Sequence, residues 1–513
     1  MSDETTTVAG GGADSPAPAA PPGAEPNPRR WVALAVIAIA QLMVVLDATV
    51  VNIALPQAQA DLGISDADRQ WVLTAYTLTF GGLLLLGGRI ADYWGRKRTF
   101  VVGIIGFAIA SAIGGAATNG PLLFTARGLQ GAFGALLAPA SLALLTVLFT
   151  DAKERAKAFG VYGAIAGGGS AVGLVMGGLL TEYANWRWCL LVNIPVAVIA
   201  VFAAIPLVPE SRAHGDTRYD VPGAVLATLG LVSVVYGFTK AATDGWGATA
   251  TIGFISAGVV LLAIFVVVEQ ASPNPLLPMR IILDRNRGGT YLASMLFGAG
   301  LFGAFLFLTF YLQVVLQYTP LKAGVASLPV TLGVLIAAGV ATPLTPKVGP
   351  KPLMVVGSIV AALSMLALTQ IGVDTAFATH VLPAEIVLGL GLGLTFVPLA
   401  NVALVGVPDH DAGAASATLN ATQQVGGSLG TALLNTIYTT AITGWVTVHG
   451  VVPYPPDNGQ PRFGPSPQGL VHGYVTAFAW GAGLLVGSAL IILFLLNVRK
   501  QDLEHTPGAH AMG

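Results

Sequence analysis

Long apolar stretches alternate with short polar segments along almost the whole chain. Each stretch is long enough to cross the roughly 30 Å hydrocarbon core of a bilayer as a helix. Charged residues, Pro or Gly stand in nearly every gap between them. The pattern predicts fourteen transmembrane helices, at about 31–55, 71–91, 100–118, 121–149, 158–181, 188–208, 221–240, 250–268, 290–316, 322–345, 351–372, 381–407, 412–442 and 471–498.

Two polar linkers, 209–220 and 270–289, divide these helices into six, two and six. Such a chain is expected to be an all-α polytopic membrane protein with two six-helix bundles. The pattern predicts three membrane regions, an N-terminal bundle at 31–208, two inserted helices at 221–268 and a C-terminal bundle at 290–498.

The remaining segments are polar or rich in Pro and Gly. Residues 1–30 contain much Pro, Ala, Gly, Ser and Thr and lack the apolar stretch of a signal peptide, which predicts a disordered cytoplasmic tail. A second cytoplasmic tail is expected at 499–513, and an irregular outside loop at 443–469.

The distribution of basic residues orients the helices. Most of the 24 Lys and Arg residues fall in the segments that lie on the same side as the N-terminus. Because cytoplasmic loops are enriched in Lys and Arg, both termini are expected in the cytoplasm, and the protein in a bacterial cytoplasmic membrane.

Composition excludes most other classes of protein. With 54% hydrophobic and 10% charged residues and a mean hydropathy of +0.74, the chain is far too apolar for a soluble domain. A net charge of −1 argues against a nucleic-acid partner. The single cysteine, Cys189, excludes an intramolecular disulfide, and we expect no metal site.

Asp47 is the only charged residue in the first apolar stretch. A carboxylate at that depth costs roughly 2.5–3.5 kcal/mol, and intramembrane acids usually mark an ion or proton pathway. The alternative is a structural acid paired with a buried cation. Arg127 is the second deep charge, and it lies in the same outer half of the same bundle, where an interaction with Asp47 is plausible.

Two further patterns suggest movement. Regularly spaced glycines in the fifth helix allow close helix approach in lipid, either for static packing or for a contact that tilts during transport. They are Gly160, Gly169, Gly173, Gly177 and Gly178. Between the second and third helices, Asp92 could bond to the start of a neighbouring helix or pair with Arg96, or the segment could be a simple positive anchor.

Four motifs together resemble the fourteen-helix drug:proton antiporters of the major facilitator superfamily (EmrB/QacA type). They are Leu46-Asp47-x-Thr49-Val50-Val51-Asn52-x-Ala54-Leu55-Pro56, Gly88-x-x-x-Asp92-x-x-Gly95-Arg96-Lys97, Arg127-x-x-Gln130-Gly131 continuing to Pro139, and the fifth-helix glycines. Three positions depart from the family pattern: Leu174 replaces a Pro, Phe133 replaces a small residue, and the second-half loop motif at Thr342–Pro352 is degenerate.

The resemblance implies a major facilitator fold whose two bundles open a central cavity alternately to either side. It implies that Asp47 carries the coupling proton with Arg127 as its partner. The inner gate would be controlled by Gly88, Asp92, Gly95 and Arg96. Transport would use the proton motive force, without a cofactor and without ATP.

Substrates are expected to be small, amphipathic and drug-like, because aromatic rings and amides are scattered through the helices. The candidate cavity residues are Asn52, Tyr76, Gln130, Phe305, Tyr311, Gln313, Asn420, Gln423 and Gln424, and for each of them ordinary helix packing is the alternative. Glu385 is expected near the outer surface and solvated. With Asp47 as the one deep acid, neutral or monocationic compounds are favoured over dications.

Several other functions are disfavoured. The chain has no Gly-Lys dipeptide and hence no P-loop for an ATP-driven pump, and it has no His-Glu-x-x-His pattern or carboxylate cluster for a membrane enzyme. The sequence alone does not separate a transporter from a channel. The closest alternative is a dedicated exporter of an endogenous metabolite, such as a self-made antibiotic, a siderophore or a lipid precursor.

Overall fold

The computed structural model describes residues 29–149, 151–212, 220–272, 275, 277, 279–407, 412–457 and 460–498. The tail predicted at 1–30 lies outside the described residues except for its last two, and the tail predicted at 499–513 lies wholly outside them.

Fourteen long helices make up nearly all of the described chain. In the first half they are α1 Arg30–Leu62, α2 Trp71–Trp94, α3 Arg96–Gly115, α4 Gly120–Leu148, α5 Ala152–Tyr183, α6 Trp188–Leu207 and α7 Val221–Asp244. In the second half they are α8 Thr249–Ala271, α9 Arg285–Val315, α10 Pro320–Val348, α11 Pro350–Gln370, α12 Phe377–Leu404, α13 Ala412–His449 and α14 Pro467–Leu495. Within them, α9 ends in a π-turn at Tyr311–Val315, and α12 begins with one at Phe377–Val381.

Length and apolarity qualify 13 of these helices to span a membrane. The fourteenth, α13, is more polar, with Thr, Asn and Gln along its length. The protein is therefore an all-α, multi-pass membrane protein, and its helices agree with the fourteen predicted from the sequence to within several residues at most ends.

Several helix starts are encoded by the residues that cap them. Asn119 accepts a hydrogen bond from the Leu122 amide, and Asp220 accepts one from the Gly223 amide. Asp284 and Ser466 cap α9 and α14 in the same way. Each side chain satisfies an amide that has no partner within its helix, so these boundaries are determined locally.

Helix packing divides the molecule into two groups and a pair. Helices α1–α6 pack on one another and form the first bundle, and α9–α14 form the second bundle. Helices α7 and α8 pack together, and α7 also touches α2 and α13. The two bundles meet mainly where α2 packs on α13 and α5 packs on α10.

The two ends of the molecule differ in how the bundles meet. We call the end that carries the α1–α2 connection at 63–70 the loop face, and the opposite end, where α1 begins and α14 ends, the terminal face. Toward the loop face a single hydrophobic core contains residues of both bundles. Toward the terminal face each bundle has a separate core. The bundles are therefore sealed together at the loop face.

The prediction of an irregular loop at 443–469 is wrong. Helix α13 continues to His449, and an antiparallel hairpin of β1 Val452–Asp457 and β2 Gln460–Gly464 follows it. The signal that could have found the hairpin is the Asn-Gly dipeptide between the strands, which favours a tight hairpin turn.

Candidate functional site

The centre of the first bundle contains a buried ion pair. Arg127 on α4 places its Nη1 atom 2.5 Å from Asp47 Oδ2 on α1, and both side chains are fully shielded from solvent. Burial strengthens the attraction between two charges but also removes their hydration, so such a pair needs further hydrogen bonds. The residues around the pair supply them.

Two side-chain amides complete the shell of Asp47. Gln130 Nε2 donates to Asp47 Oδ1 at 2.9 Å, and Asn193 Nδ2 on α6 donates to the same oxygen at 3.0 Å. Both amides also lie 3.0 Å from the Ser111 hydroxyl on α3, which donates to the Leu190 carbonyl at 2.7 Å. Since every group that faces the carboxylate is an N–H donor, this arrangement suits the ionised form of Asp47.

The guanidinium of Arg127 is held on its other sides as well. Its Nε atom donates to the Val72 carbonyl at 3.0 Å, and its Nη1 atom donates to Gln130 Oε1 at 2.8 Å. The Tyr76 ring lies 4.5 Å from the guanidinium carbon in cation–π geometry. A Cβ on Gly131 would lie 2.2 Å from the Tyr76 carbonyl oxygen, so only glycine allows α2 and α4 to approach this closely.

We call this arrangement of Asp47, Arg127, Gln130, Asn193, Ser111 and Tyr76 the polar centre. Sequence reasoning found the charged pair but missed Asn193 and Ser111. The signal was weak, because each is a single small polar residue in an apolar helix, and sequence alone does not say which face it occupies.

Some of the candidate cavity residues lie where the bundles join. Asn52 on α1 donates to the Phe305 carbonyl at 3.4 Å and to the Thr309 hydroxyl at 3.3 Å, both on α9. Gln313 Nε2 donates back to the Ile53 carbonyl at 2.8 Å. These contacts form part of the seal toward the loop face.

The other candidates are dispersed. Tyr76 and Gln130 belong to the polar centre inside the first bundle, and Tyr311 is buried in the second bundle with its hydroxyl donating to the Gly372 carbonyl at 2.8 Å. Asn420 is exposed. Gln424 packs against α2, where its Cβ would lie 2.9 Å from a Cβ on Gly81, and the neighbouring Gln423 backbone packs against Gly298.

Arg69 makes a buried contact across the loop face. Its side chain is 1% exposed, and its guanidinium carbon lies 4.1 Å from the Phe310 ring centre and 4.4 Å from the Tyr438 ring centre. Its Nε atom donates to Asn435 Oδ1 at 3.1 Å, while Asn435 Nδ2 donates to the Asp66 carbonyl at 2.8 Å. We call this the Arg69 clasp, because a cation from the first bundle is held between rings of the second.

The fifth-helix glycines face different neighbours. Gly169, Gly173 and Gly177 lie against α1, where a Cβ on Gly173 would clash with the Thr49 hydroxyl. Gly178 lies against α10 in the second bundle, 2.6 Å from Leu321 Cα by the same measure. A Cβ on Gly160 would meet no atom within 4 Å, so close packing does not require that glycine.

The proposed gate segment at the terminal face is held by two acids. Asp92 pairs with Arg96 at 2.9 Å, one of the two contacts that the sequence suggested. Glu210, which sequence reasoning missed, accepts a hydrogen bond from the Lys97 amide at the start of α3 and lies 3.6 Å from Arg98. Gly95 adopts φ 127°, a conformation that favours glycine. A Cβ on Gly88 would meet only Pro139, at 3.6 Å.

The expectation that Glu385 is solvated is wrong. It lies in the first α-helical turn after the π-turn that begins α12, its side chain is 0% exposed, and neither carboxylate oxygen has a hydrogen-bond partner among the described residues. The chain therefore has a second deep acid, which removes the basis for expecting weak recognition of dications. Sequence reasoning failed here because a residue near the end of an apolar stretch can still be covered by neighbouring helices.

The chain resembles known transport proteins along most of its length. The family model of the Major Facilitator Superfamily matches residues 37–431. The puromycin resistance protein of Streptomyces alboniger is 49% identical, covering 94% of this chain and 95% of that one. The cephamycin export protein of Amycolatopsis lactamdurans is 38% identical over 79% and 84%. A multidrug efflux pump of Mycolicibacterium smegmatis is 33% identical over 80% and 81%.

Solved structures agree with this at the level of the fold. A bacterial homologue of the human lysosomal transporter Spinster, in an inward-facing and occupied conformation, matches with a TM-score of 0.62 at 14% identity, covering 94% of this chain and 99% of that one. A peptide transporter in complex with sulfate matches with a TM-score of 0.61 at 15% identity, over 90% and 93%.

Proposed function

Because the chain belongs to the Major Facilitator Superfamily, and is thus a transporter rather than an enzyme, we propose that it is a proton-coupled antiporter that exports amphipathic drugs or antibiotics. It would do so by alternating access across a bacterial cytoplasmic membrane. The names of its relatives, which include resistance, export and multidrug efflux proteins, support the substrate class.

The buried pair of Asp47 and Arg127 is the observation that carries the proton coupling. A proton that binds Asp47 cancels its charge and leaves the Arg127 guanidinium in the bundle interior without a counterion. Breaking a buried pair in this way costs about 3–5 kcal/mol, so the bundle lowers its free energy by rearranging around Arg127. Proton binding would thereby change how α1 and α4 pack, and α1 also touches the second bundle through Asn52.

The orientation of the protein in the membrane follows from the distribution of its basic residues. If the terminal face is cytoplasmic, as the excess of Lys and Arg there favours, the seal at the loop face makes this an inward-facing state. The ionised arrangement of Asp47 then corresponds to a carrier that has released its proton inside. Gly178 at the α5–α10 contact and the Asp92–Arg96 pair would adjust as the opposite face closes.

The driving force is sufficient for such an exchange. One charge crossing about 150 mV gains roughly 3.5 kcal/mol. At about 1.4 kcal/mol per tenfold ratio, this supports a substrate gradient of roughly 300-fold for each net charge. Exchange of one proton for one monovalent cation moves no net charge, so only the pH gradient would drive it.

A second candidate is a dedicated exporter of one endogenous metabolite, such as a self-made antibiotic, a siderophore or a lipid precursor. It is favoured by relatives that are named for single compounds, puromycin and cephamycin. The polar centre and the seal would serve either function equally.

Transport in proteoliposomes tests both candidates. Vesicles that contain the purified protein, with an imposed pH gradient, should accumulate ethidium, puromycin and a cephalosporin against their gradients. Accumulation of several unrelated compounds supports multidrug export, and accumulation of one supports the dedicated exporter. Equal uptake with and without the gradient, or uptake that stops at equilibrium, would contradict proton-coupled antiport.

A further inference from the structure

Glu385 occupies the position in the second bundle that Arg127 occupies in the first. Arg127 is followed four residues later by Gly131, and Glu385 is followed four residues later by Gly389. A Cβ on Gly131 would lie 2.2 Å from the Tyr76 carbonyl oxygen of α2, and a Cβ on Gly389 would lie 2.2 Å from the Val330 carbonyl oxygen of α10.

The same correspondence holds on the neighbouring helices. On α3, Gly103 faces Leu137 of α4, and on α11, Gly357 faces Thr395 of α12. Leu137 follows Gly131 by six residues, as Thr395 follows Gly389. The α2–α4–α3 and α10–α12–α11 packings are thus repeats of one arrangement, and Glu385 and Arg127 are equivalent in it.

The surroundings of the two residues are opposite in character. Arg127 has an acid, an amide, a carbonyl and an aromatic ring as partners. Within the part of the chain that the structure describes, Glu385 forms no ion pair and no side-chain hydrogen bond. An isolated ionised carboxylate in such a place would be very costly, whereas a protonated carboxyl is tolerated.

Ionisable side chains on the helices around α12 are either engaged elsewhere or near the ends of their helices. On α12 itself, Glu385 is accompanied only by His380, which contacts Thr379. The groups with described partners are Lys322 on the Tyr318 ring, Lys351 on the Leu496 carbonyl, Tyr311 on the Gly372 carbonyl, Tyr291 on the Ala415 carbonyl, Arg285 on the Leu495 carbonyl, Arg287 near Asp284, Tyr438 on Arg69 and His449 on Trp445. Lys347 lies in the last turn of α10, at the terminal face.

The burial of Glu385 is linked to the closed loop face. Val381, Ala384 and Leu388, its neighbours along the same side of α12, all belong to the hydrophobic core that both bundles share toward the loop face. Separating the bundles there would divide this core and admit water beside this part of α12. Glu385 would then be free to ionise.

We propose that Glu385 is a second proton-binding site, and that it must take up a proton from the loop-face side before that face can close. The carboxylate gains the proton from water while the loop face is open and holds it as a carboxylic acid while the face is sealed. Reopening returns the proton to water. This site deepens the proposed antiport, because it would make closure depend on the proton concentration at the loop face.

The sign of the pH dependence follows from this exchange. The closed state binds the proton on Glu385, and the open state releases it once the pH exceeds the ordinary range of a carboxyl group. The ratio of closed to open molecules should therefore fall with rising pH, by up to tenfold per pH unit.

Distances between spin labels across the loop face would measure that ratio without any transport. The labels would be attached to Ser65→Cys in the first bundle and Thr447→Cys in the second, in a Cys189→Ser background. Both sites are exposed. The Asp47→Asn substitution is included so that Asp47 does not titrate. In this background, the loop face of the protein that retains Glu385 should open with rising pH. The Glu385→Gln variant should stay closed at every pH, and the Glu385→Asp variant should restore the pH dependence.

An unchanged pH dependence in Glu385→Gln would overturn the inference. A second measurement does not rely on the opening motion: the infrared carbonyl band of a protonated carboxyl should be present at neutral pH and be lost in Glu385→Gln. If the band is the same in both proteins, Glu385 is ionised when buried, and the inference fails. Since neither experiment uses transport, absence of proton-driven export in the vesicles would contradict the proposed function separately.

Discussion

The fourth helix of the first bundle and its counterpart in the second share their packing and differ in their chemistry. In α4 and α12 a glycine at the same spacing presses against a backbone carbonyl of the adjacent helix. One turn earlier, α4 carries Arg127, which bonds to Asp47, to Gln130 and to the Val72 carbonyl. At the same place α12 carries Glu385, whose carboxylate has no hydrogen-bond partner among the described residues. The repeat therefore preserves backbone contacts, while charge is distributed asymmetrically between the bundles.

Under the proposed antiport, this asymmetry would give the two bundles different ways of coupling to protons. In the polar centre, hydrogen-bond donors surround the Asp47 carboxylate, so a proton that binds there must displace an existing interaction. At Glu385 no interaction is displaced, and only the cost of burying a charge links the proton to the conformation. The first arrangement is sensitive to each partner, and the second is sensitive to water access.

The strongest test of the first arrangement is Asp47→Asn. The amide cannot bind a proton, so proton-driven accumulation of substrate should be abolished while the protein remains folded. Transport in proteoliposomes and elution from a sizing column would check the two parts. Asp61→Asn is the matched control, because Asp61 pairs with Arg187 at the partly exposed loop face and should transport normally. Full activity of Asp47→Asn would remove Asp47 from the proton pathway.

Next in size is the effect of Arg127→Gln on stability. Leaving Asp47 buried without its cation should lower the free energy of unfolding by about 3–5 kcal/mol. Adding Asp47→Asn should recover most of that loss without recovering transport, and Glu385→Gln alone should change stability little. Thermal melts of the purified variants measure all of these. If the double variant is no more stable than Arg127→Gln, the two side chains do not act as a pair.

The repeat itself is tested by paired glycine substitutions. Gly131→Ala and Gly389→Ala should each destabilise the protein by about 1–3 kcal/mol, because the added methyl group meets a carbonyl oxygen in both bundles. Gly128→Ala and Gly339→Ala are controls, since their added atoms would meet one methyl group at 3.9 Å and nothing within 4 Å, respectively. A harmless Gly389→Ala beside a damaging Gly131→Ala would break the equivalence of α4 and α12.

The Arg69 clasp, where the first bundle supplies a cation to the second, gives a further test. Arg69→Gln should shift the conformational balance toward an open loop face by about 2 kcal/mol, the size of a desolvated cation–π contact. Spin labels at Ser65→Cys and Thr447→Cys would report longer distances. Arg187→Gln should leave the distances unchanged, because Arg187 contacts Asp61 and the Ala117 carbonyl within the first bundle.

Much of the fold could be predicted from the sequence, because a bilayer imposes its thickness on the length of each apolar stretch. The same constraint explains why a contact between Asp47 and Arg127 could be anticipated, because charges inside such stretches are rare enough to stand out. Helix caps such as Asn119 and Asp220 are also local and therefore legible in the sequence.

The features that could not be predicted are contacts that depend on which side of a helix meets which neighbouring helix. Asn193 and Ser111 are ordinary polar residues until α3 and α6 bring them to Asp47. Arg69 stands in the polar gap between the first two apolar stretches, and only the approach of α9 and α13 buries it between two rings.

The composition of the Arg69 clasp determines how the closure of the loop face depends on salt concentration. Mobile ions screen attractions between exposed charges, with a screening length of about 8 Å at physiological ionic strength, and they screen buried contacts much less. The clasp relies instead on ring faces and an amide oxygen around a cation that water and salt do not reach, with Asp66 as a minor partner at 3.5 Å. Its hold on the two bundles should therefore be nearly the same in dilute and in saline media.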